Sequence, residues 1–404
     1  MTGDKTCERG LLMYERYIVP MLANRLLEPR RFIQIVEGPR QTGKSTAVAQ
    51  ALRKLDTPVQ EFVFDRPRDQ LPRTLEDLWK QARSMARQTP GAILSLDEVQ
   101  KVPDWSATVK YLWDEDSRNG LDLRVVLTGS STLLLRKGMA DSLKGRYEVI
   151  PSTQWTFDEC REAFGFTYED FLFFGGYPGA ASLKDDEDRW LAYVREAIVE
   201  PTLTQDVLEM EVVRKPALLR ALFEVGAVYS AQEISYRKLL GQLDDRGNTD
   251  TIAHYLELLS RAGLLSGLPK YDEKVLKERA SSPRLLAHDT ALMVTASGER
   301  RERLRENSEY RGHLVETAVG AYLLARATRE GFTVTWWRNG SYEVDFVVTK
   351  GRRRTAIEVK SGRVKSLKGL GEFVQRYPGT YALVIGSNEF PVDDFLLGRV
   401  PLFQ

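Results

Sequence analysis

The stretch that decides the fold is residues 31–53, RFIQIVEGPRQTGKSTAVAQALR. It consists of a short apolar run, the segment GPRQTGKS and an amphipathic run. This order predicts a strand, a phosphate-binding loop and a helix. Glycine lets the loop backbone fold around a phosphate with its N–H groups pointing inward, and a helix that begins at Lys44 adds the positive end of its dipole.

Each part of this loop has an expected partner on ATP. Lys44 is expected to reach the β- and γ-phosphates, and the Ser45 hydroxyl is expected to bind Mg²⁺. A chance match to the loop pattern arises in ~1% of chains of this length, but it would usually lack the flanking strand and helix. The sequence therefore predicts ATP and Mg²⁺ as ligands, and the predicted ATP-binding residues in the loop are Gly38, Pro39, Arg40, Gln41, Thr42, Gly43, Lys44, Ser45 and Thr46.

Two further apolar runs end in polar residues that suit the same site. AILSLDE (92–98) indicates a buried parallel strand, after which Asp97 can hold Mg²⁺ and Glu98 can orient or deprotonate the attacking water. RVVLTGSS (124–131) indicates a strand between the two motif strands, where Ser130 can sense the γ-phosphate. The alternatives are a strand that ends in solvent for the Asp-Glu pair and a helix cap for Ser130.

Alternation of strands and helices governs residues 31–150 and predicts an α/β fold with a doubly wound parallel sheet. Before it, residues 1–30 are expected to form a helical lead-in, with an amphipathic helix over 11–29 that is broken or bent around Pro20. After it the sequence predicts three units: a helical lid (151–205), a winged helix-turn-helix domain (206–296) and a C-terminal α/β domain that opens with a long helix (297–404).

Composition limits the classes of function. The chain has 404 residues, 42% of them hydrophobic and 28% charged, and no apolar run has the roughly 18 residues that a membrane span needs. The first ten residues lack the layout of a secretory signal, and two cysteines cannot form a disulfide framework. We therefore expect a cytoplasmic protein without membrane contact. Because the net charge is only +1, a nucleic-acid role would have to rest on local basic patches.

Five short segments together resemble the AAA+ ATPases, and more narrowly the archaeal and bacterial ATPases related to the STAND group. They lie within residues 30–205 and read GPRQTGKST, SLDEVQKVPDW, LTGSS, SLKGR and GGYPG. The resemblance implies that Arg146 is a catalytic arginine finger that completes a neighbour's site, and that Pro178 packs on the adenine. The alternatives are an ordinary ion pair for Arg146 and a plain turn at Pro178. A trans-acting arginine implies a homo-oligomer, such as a hexameric ring.

Acidic and basic residues also alternate in the C-terminal unit. Glu358 and Lys360 share one face of a predicted strand, Asp345 lies on the preceding strand, and Glu316 on the helix before it. Three carboxylates and an ammonium suit Mg²⁺, with Lys360 stabilising a hydroxide or the developing phosphorane charge. This pattern resembles the restriction-endonuclease-like, or PD-(D/E)xK, fold. The alternatives are a half-exposed strand, or a nuclease relic that only grips DNA.

The basic residues suggest where DNA would bind. The tract 350–368 carries eight basic residues and one acidic residue, which favours phosphate contacts. The predicted recognition helix has acidic residues before or on it, whereas basic residues cluster near its turn and wing, namely Arg246, Arg261, Lys270, Lys274, Lys277 and Arg279. Backbone contact through the wing is therefore expected rather than base readout, and a winged helix used only for protein packing is the alternative.

These features give one leading hypothesis and two alternatives. The leading one is an oligomeric, Mg²⁺-dependent ATPase that binds and remodels or translocates DNA, with branched or junction DNA as a candidate substrate. The first alternative is an ATP-gated DNA endonuclease in defence or repair. The second is a STAND-like ATP/ADP switch that assembles with a protein partner. The sequence does not decide between them.

Overall fold

The computed structural model describes residues 14–129, 139, 142–208, 213–243, 248–272, 282–362 and 366–404. Its first unit is a parallel five-stranded sheet in the order β2-β3-β4-β1-β5. The strands are β1 (Ile33–Glu37), β2 (Val59–Val63), β3 (Ile93–Asp97), β4 (Arg124–Thr128) and β5 (Tyr147–Pro151). The helices are α1 (Ile18–Leu27), α2 (Lys44–Arg53), α3 (Pro72–Gln88) and α4 (Trp105–Arg118). The predicted α/β class is confirmed.

Helices cover both faces of this sheet because successive strand residues point to opposite sides. On one face, α1 and α2 pack over Val36 and Val126. On the other face, α3 and α4 bury Trp79 and Trp113 against residues such as Ile35. The strand β4 lies between β1 and β3, as the sequence predicts. All three strands therefore end at the same edge, where their last residues meet.

The lead-in helix differs from the prediction. The described helix α1 begins at Ile18, ends at Leu27 and holds Pro20 in its first turn. Proline is tolerated there because the first N–H groups of a helix have no partner within it. Pro20 therefore lies inside the start of a helix and does not bend a longer one.

Helices follow the sheet, as expected, without a strand among the described residues 152–208. They are α5 (Phe157–Phe164), α6 (Tyr168–Phe174), α7 (Pro178–Ala181) and α8 (Glu187–Tyr193), followed by two π-helical turns (Val194–Val199 and Thr202–Val207). Two of these helices begin with a capping box, in which each of two side chains accepts from the other residue's backbone N–H. The pairs are Thr156 with Glu159 at α5 and Thr167 with Asp170 at α6.

Three helices and a two-stranded antiparallel sheet come next. They are α9 (Pro216–Val228), α10 (Tyr236–Gln242), α11 (Thr249–Arg261), β6 (Leu265–Leu268) and β7 (Arg284–Ala287). This order agrees with the one expected of a winged helix, whose assignment stays a prediction. Arg246 and the wing residues Lys274, Lys277 and Arg279 lie outside the described residues.

The C-terminal unit is a four-stranded sheet flanked by helices, in the order β11-β10-β9-β8. Its elements are α12 (Thr290–Ser297), α13 (Arg303–Glu306), α14 (Ser308–Glu330), β8 (Thr333–Asn339), β9 (Tyr342–Lys350), β10 (Arg353–Val359), α15 (Lys368–Arg376), β11 (Tyr381–Ile385) and α16 (Val392–Leu396). The expected long helix begins at Ser308 rather than near Ser297, because the Asn307 side chain caps it by accepting from two backbone N–H groups.

One hydrophobic cluster joins the helices after the parallel sheet to one face of the C-terminal sheet, whose other face packs against α15 in a smaller cluster. The larger cluster runs from Trp155 to Leu402 and includes buried residues of the lid, of β6 and β7, and of the C-terminal sheet. The parallel sheet has two clusters of its own. Within the described residues, no helix combines the length and apolarity needed to cross a membrane.

Candidate functional site

The phosphate loop (residues 38–45) leaves β1 and enters α2 at the edge where the parallel strands end. Two of its glycines are required by the backbone. A Cβ at Gly38 would lie 1.8 Å from the Ser152 carbonyl oxygen, and Gly43 has a φ of 81° directly before α2. An L side chain is strained in that left-handed region. The loop therefore has the tight turn and exposed helix start that a phosphate site needs.

Lys44 is held inside the loop. Its ammonium donates to the Gly38 and Pro39 carbonyl oxygens at 2.9 and 2.7 Å, and the residue is only 7% exposed. Burial lowers the pKa of Lys44 to about 8, although Glu98 and Asp97 act in the opposite direction. The charge is thus concentrated at the mouth of the loop with little water to screen it.

The carboxylate of Asp97 brings three elements together. Its Oδ2 accepts from Ser45 Oγ at 2.6 Å, and its Oδ1 accepts from the Glu98 N–H at 2.9 Å and from the Thr128 hydroxyl. Ser45 begins α2, Asp97 ends β3 and Thr128 ends β4. These hydroxyl and carboxylate oxygens are the donors that Mg²⁺ prefers, so the residues fit the predicted ion. Thr128 was missed because the sequence drew attention to Ser130, which lies outside the described residues.

Glu98 has a conformation that is unusual for its residue type. Its φ of 57° lies in the left-handed region, which marks stored backbone strain. Its Oε2 accepts from Gln100 Nε2 at 2.9 Å and lies 3.2 Å from the Lys101 ammonium. A Cβ at Gly129 would lie 2.1 Å from Gln100 Oε1, so Gln100 packs against the turn after β4. The side chains of Gln100 and Lys101 therefore hold the Glu98 carboxylate in one orientation.

Two residues that sequence analysis missed fix the back of the loop. The Thr42 carbonyl oxygen accepts from Arg16 Nη1 at 3.0 Å and from Trp155 Nε1 at 3.1 Å. Arg16 also donates twice to the Glu159 carboxylate, at 2.8 and 3.0 Å. Because Trp155 and Glu159 belong to the lid, the loop and the lid share these bonds. No local pattern reveals a pair that is 143 residues apart.

The front of the loop is tied to later parts of the chain. Arg40 donates twice to the Asp206 carboxylate in the second π-helical turn, at 2.8 and 2.6 Å. A Cβ at Gly263, between α11 and β6, would lie 2.5 Å from Pro39 Cγ. The loop therefore contacts both the lid and the unit that contains β6 and β7.

Pro178 belongs to the lid loop (residues 175–179), which approaches the phosphate loop. Pro178 begins α7, and a Cβ on the next residue, Gly179, would lie 3.4 Å from Gln41 Oε1. The Gly176 N–H donates to Asp289 Oδ2 at 2.9 Å. Burial raises the pKa of Asp289 to about 7. Contact between Pro178 and adenine stays a prediction, and its place beside the loop supports it.

Arg146 lies at the opposite edge of the sheet from the phosphate loop. Its carbonyl oxygen accepts from the Ile33 N–H at 2.8 Å, at the first residue of β1, whereas the loop follows the last. Five strand residues separate the two edges by roughly 13 Å or more. The guanidinium donates twice to Asp114, at 2.7 and 2.9 Å, which raises the pKa of Arg146. Arg146 therefore cannot complete the site of its own chain.

The acidic residues of the C-terminal unit form a carboxylate cluster (Glu316, Glu343, Asp345 and Glu358). Asp345 Oδ2 accepts from the Val359 N–H at 2.8 Å, and Lys360 donates to Glu358. Burial, followed by the nearby Asp345 charge, raises the pKa of Glu316 to about 8 and that of Glu358 to about 7. The four residues that the sequence singled out, Glu316, Asp345, Glu358 and Lys360, are thus brought to one end of the sheet.

An arginine that sequence analysis missed enters this cluster from β7. Arg284 Nη2 donates to Glu316 at 2.7 Å, and Nη1 donates to Glu343 and Asp345 at 3.0 and 3.2 Å. Its Nε donates to the Ala231 carbonyl oxygen at 2.9 Å. Within the described part of the chain, no group of acidic, histidine or cysteine side chains is arranged to hold a metal ion. In this arrangement the residues do not fit the Mg²⁺ that the nuclease resemblance implies.

The parallel sheet, the phosphate loop and the Asp97 contacts define the fold of an AAA-type P-loop ATPase. A family model for an AAA domain matches residues 30–161. Two models for domains of unknown function, DUF8612 and DUF4143, match residues 165–303 and 311–403.

Two curated relatives are uncharacterized proteins. One, from Methanocaldococcus jannaschii, is 26% identical over 285 residues, which cover 66% of this chain and 60% of that protein. The other, from Haemophilus influenzae, is 22% identical over 370 residues, 87% of each chain. The chain thus spans about three fifths of the length of the archaeal relative.

Two solved structures are similar to parts of the chain. The Aeropyrum pernix ORC1 protein, in complex with DNA, is 12% identical with a TM-score of 0.30, over 70% of this chain and 91% of that one. The Thermotoga maritima RuvB Holliday junction branch migration motor is 18% identical with a TM-score of 0.31, over 65% of this chain and 91% of that one.

Replacing Lys44 with methionine is expected to lower the rate of ATP hydrolysis at least ~100-fold. The free energy of unfolding of the nucleotide-free protein at pH 7 should not fall. The fall of the Lys44 pKa from 10.5 to about 8 means that the buried charge costs roughly 3 kcal/mol. Because this pKa is lowered on folding, wild-type stability should rise between pH 8 and 10.5 as Lys44 loses its proton, and Lys44→Met should lose that rise.

Phosphate release and thermal melting at pH 7 to 10.5 measure both effects. Lys54→Met is the matched control, because Lys54 lies just after the same helix in an exposed ion pair with Glu15. A Lys44→Met protein that melts far below wild type, or that still hydrolyses ATP, would contradict the assigned role.

Proposed function

We propose that this chain is an oligomeric, Mg²⁺-dependent ATPase that acts on DNA. The observation that carries the ATPase part is the meeting of Ser45, Asp97 and Thr128 at one sheet edge, beside Lys44 and Glu98. A strand that merely ended in solvent would not hold its terminal carboxylate against the hydroxyl groups of two other elements. The arrangement is the one that phosphoryl transfer to water requires.

Each residue of the site has a role that follows from its position. The loop N–H groups and Lys44 hold the phosphates, while Ser45 and Asp97 hold the ion. Bound Mg²⁺ would neutralise the charge that develops on the phosphate oxygens. Glu98, aimed by Gln100 and Lys101, orients the attacking water or accepts its proton.

Arg146 acts on a neighbouring chain in this proposal. It lies at the sheet edge far from its own loop, is partly exposed, and is held in one orientation by Asp114. A delocalised, fixed positive charge suits the transferring phosphoryl group. Since the chain cannot use this arginine itself, hydrolysis requires an assembly in which each site borrows one from the next copy.

DNA is proposed as the substrate because of the hairpin between β9 and β10. Arg352 and Arg353 are exposed at its turn, and Lys350 precedes them. Arg354 turns inward and donates to Tyr271 and Thr380, so it supports the hairpin rather than facing solvent. A projecting group of cations is the kind of surface that binds phosphate backbones without reading sequence.

Mixing two inactive variants tests the shared site. Glu98→Gln and Arg146→Ala are each expected to lower hydrolysis at least ~100-fold. A 1:1 mixture should recover about a quarter of the wild-type rate, because half of the sites keep Glu98 and half of their neighbours keep Arg146. Phosphate release, with mass measurement of the mixed oligomers, is the readout.

Two controls accompany this experiment. Glu61→Gln on β2 and Arg118→Ala at the end of α4 change exposed residues of the same types, and both should hydrolyse ATP at the wild-type rate. Mixed oligomers that form and stay inactive would rule out Arg146 as a trans-acting residue. So would an Arg146→Ala protein as active as Arg118→Ala.

Reversing the hairpin charges tests the DNA part. Arg352→Glu with Arg353→Glu should weaken binding to duplex and junction DNA at least tenfold at low salt, and should reduce the slope of log affinity against log salt by about two. The control is Arg73→Glu with Lys80→Glu on α3, which changes the net charge equally at exposed positions. Equal loss in both proteins, or wild-type ATPase activity that DNA does not stimulate, would refute this part.

A further inference from the structure

A single arginine crosses from the two-stranded sheet into the carboxylate cluster of the C-terminal unit. Arg284 is the first residue of β7, and it is only 3% exposed. Its guanidinium lies between Glu316 on α14 and Asp345 on β9. The C-terminal sheet therefore has its acidic end closed by a cation from another unit of the same chain.

Each guanidinium nitrogen of Arg284 has a hydrogen-bond acceptor. Nε, Nη1 and Nη2 each donate to an oxygen, and three carboxylates accept from this one guanidinium. A buried guanidinium is tolerated only with such complete pairing, because its desolvation is costly. The carboxylate oxygens that point at Arg284 are the same oxygens that a divalent cation would need as ligands. The two cations therefore compete for one place.

One oxygen of the carboxylate cluster has no partner among the described residues. Glu358 Oε2 is buried and has no hydrogen-bond partner within the described residues, while its other oxygen accepts from Lys360. A buried carboxylate oxygen without a partner is costly. The cluster thus retains acidic oxygens beyond those that Arg284 uses directly.

We propose that Arg284 is an internal cation that occupies the carboxylate cluster and excludes a divalent ion from it. In this arrangement the C-terminal unit is held to β7 through its acidic cluster, and it is not a metal-dependent nuclease. The disagreement between the acidic pattern and the observed partner is the reason for this assignment. It concerns the cluster alone and does not depend on ATP hydrolysis.

Binding of Mn²⁺ without nucleotide tests the proposal, by calorimetry and by the electron paramagnetic resonance of free Mn²⁺. Wild type should show no site at the cluster. Arg284→Gln should gain one, at least tenfold tighter than any wild-type binding, and Arg284→Gln with Asp345→Asn should lose it. The phosphate loop is the same in all these proteins, so the differences report on the cluster.

Arg338→Gln is the matched control. Arg338 also contacts Glu343, but from an exposed position and with Glu233 as its second partner. The Arg338→Gln protein should therefore show the same Mn²⁺ binding as wild type. A wild-type site that Asp345→Asn removes would overturn the proposal, and so would a folded Arg284→Gln protein that gains no site.

Arg284→Gln leaves buried carboxylates unpaired, so its folding needs its own measurement. If it melts well below wild type, adding Glu316→Gln and Asp345→Asn should restore most of the lost melting temperature, because the neutral side chains need no counter-cation. Additive losses in the combined variant would show that Arg284 does not neutralise these carboxylates, and would overturn the proposal.

Discussion

The edge of the parallel sheet and the candidate site depend on one carboxylate. Asp97 accepts from Ser45, from Thr128 and from the backbone of Glu98, so it fixes the start of α2 and the ends of β3 and β4. It can do so because parallel strands end at the same edge of a sheet. The residue after Asp97, Glu98, has a φ of 57° in the left-handed region, so the turn after β3 is strained beside this contact. Fold and chemistry therefore share a single set of hydrogen bonds.

Sequence analysis can single out candidate site residues that are neighbours along the chain, and their roles stay predictions. Lys44 and Ser45 are adjacent, and Asp97 and Glu98 end one apolar run, so local pattern is sufficient. It failed where partners are distant. Arg16 lies 143 residues from Glu159, and Arg284 lies 61 residues from Asp345. One arginine before an apolar strand carries no signal of the acidic cluster that it enters.

Element boundaries show the same limit on a smaller scale. The alternation of strands and helices predicted the parallel sheet, because period and apolar content are properties of the segment itself. The predicted start of α14 was wrong because the true start depends on the Asn307 side chain, which accepts from two backbone N–H groups. Several other polar residues nearby could have served as the cap, so the sequence does not single out Asn307. The prediction at Pro20 was wrong for a related reason, because the effect of a proline depends on its position in the helix.

A chain of packed contacts leads from the phosphate loop to Arg284. Pro39 packs against Gly263, two residues before β6. The strands β6 and β7 are antiparallel, so Leu265 faces Ala287 and Leu268 faces Arg284. Close-packed interiors transmit displacement, because they cannot absorb it in free volume. The same end of β7 leads to Asp289, which holds the lid loop through the Gly176 N–H. The Ala287 end of this four-residue strand is thus joined to the phosphate loop and to the lid loop, and Arg284 at its other end holds the C-terminal unit. Any rearrangement of the loop or lid must therefore either carry Arg284 with it or break the bonds that β7 makes.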